Sequence, residues 1–115
     1  MPGGLRFTVF LPTTTVPDQV AYLQAVDLLR SDPRRIPGYT HTVDDPPILV
    51  GWYWSQNDGI WIRDTIALAF TDLPDNPNPR DQLRQVKEDI KRLYVDAGSP
   101  QQELWCTLQP LEVLQ

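Results

Sequence analysis

Hydrophobic residues recur at every second position in the first part of the chain, between residues 3 and 11. This spacing is typical of a β-strand that buries one face and exposes the other. We therefore predict that residues 3–11 form the first strand. The alternating apolar residues are Leu5, Phe7, Val9 and Leu11.

The next stretch predicts a helix that runs to about Arg30. Thr15 and Asp18 are three residues apart, so each side chain can accept a hydrogen bond from the backbone N–H of the other, with Pro17 in the first turn. Apolar side chains then cover much of the circumference, which is typical of a helix wedged between a sheet and a second surface.

A second helix is predicted after a proline-rich turn, with Asn78 as its cap and Pro79 as its first residue. It ends near Gly98, just before Pro100. Its apolar residues recur at intervals of three and four, so they form one stripe that can face a core. The stripe consists of Leu83, Val86, Ile90, Leu93 and Tyr94.

Residues 48–73 contain no proline and are too many for one ordinary strand. Asn57, Asp58 and Gly59 interrupt this stretch, and these residue types tolerate the positive φ angles of hairpin turns. A three-residue loop there predicts a hairpin in which two apolar rows share one face. The rows are Ile48, Val50, Trp52 and Trp54 on the first strand, and Ile60, Ile62, Ile66 and Leu68 on the second.

A last strand is predicted over residues 103–109, where apolar and polar positions alternate again. The element order is then β-α-β-β-α-β, and right-handed crossovers place both helices on one face of a four-stranded antiparallel sheet. This is a ferredoxin-like α+β arrangement, and we expect residues 1–115 to form a single domain. Residues 38–43 predict either an additional short strand or a loop.

Charge and cysteine content narrow the classes of function. The net charge of −5 disfavours broad contact with nucleic acid or anionic lipid. Cys106 is the only cysteine, which excludes an internal disulfide and a site with several thiolates within one chain. The sequence lacks a secretory signal pattern and the roughly 18 apolar residues of a membrane span, so we expect a cytoplasmic location. No glycine-rich phosphate loop is present, and the sequence identifies no cofactor.

Asp64 is the principal candidate for chemistry, because the predicted register places its carboxylate in an apolar row, opposite Trp52. In a pocket with Trp52 and Trp54 as ligand-binding residues, Asp64 could act as a general acid or base, with His41 or Tyr53 as its partner. The alternative is structural: a small bulge turns Asp64 outward, or its carboxylate binds a loop N–H or an arginine.

Other polar residues have both a functional and an ordinary interpretation. His41 is the only histidine, so a histidine-rich metal site is excluded within one chain. Asp44 and Asp45 could form a weak cation site or a solvated turn. On the second predicted helix, a basic ridge could bind phosphate or an acidic partner, or could be a solvated face. The ridge consists of Arg80, Arg84, Lys87 and Lys91.

The reverse face of the predicted hairpin is rich in aromatic residues, and the helices would leave it bare. A second copy packed sheet to sheet, a small apolar or aromatic ligand, or the proline-rich loop at 33–47 could cover this face. Nucleic-acid bases are disfavoured by the net charge. The residues of this predicted interface are Leu49, Tyr53, Trp61 and Arg63, with Trp105 adjoining from the last strand.

These patterns support three functional hypotheses. The first is a soluble interaction or ligand-binding module that forms a homodimer through the aromatic sheet face. The second is a small enzyme or specific small-molecule binder with a pocket around Asp64, Trp52 and Trp54. The third is an acidic inhibitor that binds a basic partner. Its acidic residues would be Asp44, Asp45, Asp72 and Asp75.

Overall fold

The computed structural model describes residues 3–42, 49–101, 104–112 and 114. Within these ranges the chain forms five strands and two helices. No helix in the described ranges is long and apolar enough to cross a membrane. In chain order the elements are β1 (Gly3–Pro12), α1 (Val16–Leu29), β2 (Thr40–His41), β3 (Leu49–Ser55), β4 (Ile60–Pro74), α2 (Arg80–Asp96) and β5 (Cys106–Glu112).

The described strands pair antiparallel, and β1 and β4 lie at the centre of the sheet. β5 pairs with the other edge of β1, whereas β2 and β3 pair with successive parts of the other edge of β4. The predicted ferredoxin-like α+β fold is confirmed, but the sheet has five strands rather than four. The additional strand is β2, so the open question for residues 38–43 is resolved as a short strand at 40–41.

The core lies between one face of the sheet and both helices. β1 contributes its odd-numbered residues 5–11 to this core, as the two-residue spacing predicted. The adjoining row of β4 begins with Ala67 and Ala69 and is also buried. Both helices cover this face, and the opposite face of the sheet is left open. The largest buried side chains of the helices are Tyr22, Leu29, Leu83, Ile90 and Tyr94.

The start of α1 follows the local sequence signal. Thr15 caps the helix, and its capping box with Asp18 is present in both directions, as predicted. The buried Asp18 carboxylate also accepts hydrogen bonds from Ser99 and Gln101. Because these partners come after α2, the carboxylate joins the first turn of one helix to the end of the other.

α2 begins one residue later than predicted. Pro79 occupies the N-cap position, and the Asn78 side chain accepts a hydrogen bond from the backbone N–H of Arg80 at 3.0 Å. Four of the five residues predicted for the apolar stripe are buried, and Leu93 packs against the core while only partly buried. The helix is therefore amphipathic in the predicted direction, with the stripe facing the sheet.

β5 begins and ends three residues later than predicted, at Cys106 and Glu112. The carbonyl of Trp105, just before the strand, accepts a hydrogen bond from the Phe10 N–H at 2.9 Å. Cys106 packs against the core from the edge of the sheet. Burial raises the pKa of its thiol to about 12.

The raised thiol pKa predicts slow alkylation of Cys106 in the native protein. The thiolate is the reactive form, so its fraction at pH 8 should be on the order of a thousandfold below that of an unperturbed cysteine. We expect iodoacetamide to modify the native chain slower by about this factor than the chain unfolded in urea. Mass spectrometry of timed samples measures both rates, and native and unfolded rates within tenfold of each other would contradict the prediction.

Candidate functional site

β3 and β4 form a hairpin that projects beyond the rest of the sheet. β1 pairs with β4 only from Ile66 to Pro74, so most of the first half of β4 is paired with β3 alone. The molecule is accordingly elongated, with extents of 48 × 27 × 26 Å. Large apolar side chains are exposed on both faces of the hairpin, because the helices do not cover this part of the sheet.

The hairpin loop is one residue longer than predicted. Ser55 pairs with Ile60, so the loop contains the four residues 56–59 rather than three. Within the loop the Ser55 hydroxyl donates a hydrogen bond to the Asp58 carboxylate at 3.3 Å. Gly59 adopts the left-handed conformation that the sequence predicted for it, with φ of 65°. The turn chemistry was therefore identified correctly, while the loop length was wrong.

The longer loop shifts the register between β3 and β4 by one residue. Each side chain of β3 therefore shares a face with the row of β4 that was predicted to lie on the opposite side. Trp52 pairs with Arg63, and Trp54 pairs with Trp61. The predicted grouping of the β3 tryptophans with Ile60, Ile62 and Ile66 is therefore wrong. The residues that share the face of Trp52, here called the tryptophan face, are Val50, Trp52, Trp54, Trp61, Arg63 and Thr65.

The tryptophan face is a contiguous apolar surface. Trp54 and Trp61 meet edge to face, with ring centroids 5.6 Å apart. Their exposed fractions are 50% and 62%, and that of Trp52 is also 62%. Water therefore contacts at least half of each of these three side chains, and clustered exposed aromatic residues are a common feature of interaction surfaces.

The second face of the hairpin, here called the open face, continues the side of the sheet that the helices leave uncovered. Tyr53 and Leu49 lie on it, as does Trp105 near the start of β5. The predicted interface of five residues is therefore divided: Trp61 and Arg63 lie on the tryptophan face instead. Further into the body of the sheet, the guanidinium of Arg6 covers the ring of Phe70, with its central carbon 4.3 Å from the ring centroid.

A groove of about 690 Å³ lies on the open face, where the hairpin leaves the body of the sheet. Its volume is in the range of small-molecule sites. Aromatic and aliphatic side chains form most of its lining, and Asp64 and Gln101 are its polar residues. The lining residues are Phe10, Pro12, Gly51, Trp52, Tyr53, Asp64, Ile66, Gln101 and Trp105.

Gly51 is a residue of this groove that the sequence interpretation missed. A Cβ atom at this position would lie 2.7 Å from Cδ1 of Ile66, so any larger residue would displace that side chain. The absence of a side chain lets Ile66 pack against the backbone of β3 at the point where Gly51 pairs with Asp64. An isolated glycine inside a strand often marks such a close approach, and this signal was present in the sequence.

Asp64 lies opposite Gly51, and its predicted position opposite Trp52 is wrong. Its carboxylate is half-buried and accepts a hydrogen bond from the Thr14 hydroxyl at 3.1 Å. That hydroxyl also accepts from the backbone N–H of Thr65 at 3.0 Å, which fixes its position. None of the ion pairs among the described residues includes Asp64. The carboxylate is therefore held in place while its negative charge is not neutralised within the described chain.

The structure brings Tyr53 onto the same face as Asp64 but does not bring His41 there. His41 pairs with Ala69, five positions along β4 from Asp64 and on the opposite face. Its Nδ1 atom lies 3.4 Å from the Tyr22 hydroxyl and 2.9 Å from the Thr42 carbonyl oxygen. The predicted catalytic set of Asp64, His41 and Tyr53 is therefore not assembled within one chain.

The charged residues singled out in the sequence are largely paired. Arg6 donates to both carboxylate oxygens of Asp72, and these hydrogen bonds hold the pKa of Asp72 below its ordinary value. Arg80 forms an ion pair with Asp75 at 3.0 Å. This pair neutralises one charge of the predicted acidic partner-binding group and one charge of the basic ridge. Asp44 and Asp45 lie outside the described residues. In the part of the chain that is described, no three potential metal ligands converge.

Comparisons with known proteins agree with this fold. No family model matches the chain, and no curated protein matches it. Among solved structures, the divalent cation tolerance protein Cut A1 from Thermus thermophilus superposes with a TM-score of 0.59 at 18% identity, over 97% of this chain and 87% of that one. CutA1 from Oryza sativa gives 0.57 at 11% identity, over 99% and 84%. CutA from Synechococcus elongatus gives 0.52 at 16% identity, over 95% and 77%. At these identities the similarity establishes the fold alone.

Proposed function

We propose that this chain is a self-associating module whose interface is the tryptophan face of the projecting hairpin. The observation that carries the proposal is the exposure of three tryptophans on one face of a hairpin that the helices do not cover. A second copy can cover this face with the same residues, because a two-fold axis brings identical surfaces together. The sequence predicted a homodimer that forms through the reverse face of the hairpin. The present proposal keeps the homodimer but places the tryptophan face in the contact.

The three tryptophans can supply the main apolar part of such a contact. Tryptophan side chains bury about 150–250 Å² each, so six half-exposed rings from two copies can remove roughly 600 Å² from water. A specific interface buries about 1,200–2,000 Å² in total, so the side chains around the rings must supply the rest. A few aromatic side chains that dominate the binding energy, surrounded by weaker contacts, are typical of protein interfaces.

Sedimentation equilibrium of the native chain tests the proposal. At tens of micromolar we expect a molar mass of twice the 13.2 kDa of one chain. A mass of one chain over the whole concentration range would contradict self-association. A mass of three or more chains would retain self-association but contradict the two-fold arrangement. The cytoplasmic location expected from the sequence remains part of this proposal.

The groove on the open face supports a second proposed function, the binding of a small molecule. Its volume, its aromatic lining and its single carboxylate are the features of a ligand site, and the proposed dimer contact shares only Trp52 with the lining of the groove. Binding is favoured over catalysis because Asp64 is half-buried beside Thr14 and has no histidine near it. The divalent cation tolerance described for the Thermus protein is not extended to this chain, since no set of metal ligands is found among the described residues.

A further inference from the structure

We infer that the groove on the open face selects organic cations, in particular an ammonium group attached to an aromatic ring. This inference rests on the proposed ligand-binding role of the groove and adds the chemical class of the ligand. It is carried by the juxtaposition, in one groove, of a carboxylate without a cationic partner and several aromatic rings.

The carboxylate of Asp64 is the first component of the site. The hydroxyl of Thr14 occupies one of its oxygens, Oδ1, at 3.1 Å. The other oxygen has no hydrogen bond among the described residues, and no described arginine or lysine forms an ion pair with Asp64. A half-buried carboxylate in an apolar lining is stabilised by a cation far more than by a neutral group. An ammonium ligand supplies that charge together with N–H donors.

Gln101 is the other polar residue of the lining. Its amide nitrogen donates to the Ser99 carbonyl at 3.1 Å, and it also contacts the Ser99 hydroxyl at 3.2 Å. The amide oxygen takes part in no hydrogen bond within the described residues. Since an ammonium carries three N–H donors, a carboxylate and an amide oxygen together suit it better than they suit an anion or a neutral acceptor.

Aromatic rings form the third component. Phe10, Tyr53 and Trp105 line the same groove as Asp64, and Trp105 is 64% exposed. The faces of such rings attract cations, and their area also packs against an aromatic ligand body. Gly51 and Ile66, which pack against each other, add apolar lining to the same groove.

Benzylamine and benzyl alcohol test this inference as a matched pair, because they have nearly the same size and only the amine is charged at pH 7. We expect benzylamine to shift the indole N–H signal of Trp105 saturably in nitrogen–proton NMR spectra, with the signal assigned from a Trp105→Phe variant. Benzyl alcohol should bind roughly tenfold more weakly. Asp64→Asn should remove this preference, since asparagine retains an oxygen acceptor for Thr14 but carries no charge. Asp58→Asn, the same change at the hairpin loop, should leave it intact.

The outcomes separate this inference from the binding role on which it rests. Equal affinities for the two compounds would show that the groove binds apolar rings without charge selection, and would overturn the inference alone. Binding of neither compound at millimolar concentration would overturn both. A preference for benzylamine that survives in Asp64→Asn would also overturn the inference, because the carboxylate would not be its source. Self-association is measured separately and depends on the other face.

Discussion

Replacing Trp61 with aspartate is expected to weaken self-association by roughly a thousandfold. The residue is 62% exposed in the single chain and lies against Trp54 on the tryptophan face, close to the tip of the hairpin. Loss of one such ring, together with burial of an unpaired carboxylate, costs about 2 kcal/mol or more at an interface. A two-fold contact contains the substitution twice, so the effects multiply to about three orders of magnitude. Sedimentation equilibrium over a range of concentrations measures the change.

Two further variants show whether the weaker self-association is specific to a charge on the tryptophan face. Val95→Asp places the same charge at a valine that is 52% exposed on α2, and the native association should persist. Tyr53→Asp places it on the open face and should also leave the dimer intact. If Tyr53→Asp separates the copies and Trp61→Asp does not, the interface is on the open face and the proposal is wrong. Urea unfolding of each variant controls for loss of the fold.

Removing the side chain of Tyr94 is expected to have the largest effect on stability. This residue is fully buried on α2, and its hydroxyl donates a hydrogen bond to the Pro12 carbonyl at 2.8 Å. Burial also raises the pKa of the Tyr94 hydroxyl, so the group remains a neutral donor. Tyr94→Ala should lower the free energy of unfolding by about 3–5 kcal/mol, because it leaves a cavity in the core.

A Tyr94→Phe variant separates packing from the hydrogen bond. It retains the ring but leaves the Pro12 carbonyl without this donor, and it should cost about 1–1.5 kcal/mol. Val95→Ala, at the exposed neighbouring position, should change stability by less than about 0.5 kcal/mol. Urea denaturation followed by tryptophan fluorescence measures all three variants. A Tyr94→Phe variant as stable as the native chain would show that the bond contributes nothing net.

The elements with strong local signals were predictable from the sequence. Thr15 and Asp18 begin α1 as a capping box because the bonds that cap a helix lie within four consecutive residues. The buried and exposed positions of β1 were predicted correctly because the residues on its inward side are apolar and face two helices. Gly59 was identified because few other residues accept a positive φ at that point of a hairpin. In each case the decisive interactions are short in range.

The register of the hairpin was not predictable, and the composition of the candidate site depended on it. On β3 both rows are apolar, since Trp52 and Trp54 alternate with Leu49 and Tyr53. In the part of β4 that pairs with β3, each row contains one charged residue, Arg63 or Asp64. Either pairing therefore gives a similar apolar match, and the choice depended on one additional loop residue. That residue placed Gly51 rather than Trp52 opposite Asp64.

The sequence by itself determined the order of the two helices and the four longer strands, and the side of α2 that faces the core, because periodicity and capping act within a few residues. Only the tertiary structure decided which aromatic rings share a surface. Trp52, Trp54 and Trp61 share one face and the groove opens on the other because pairing partners are set by the contact of two strands and by how far β4 extends past β1. These are relations between distant segments, and no single stretch of the chain contains them.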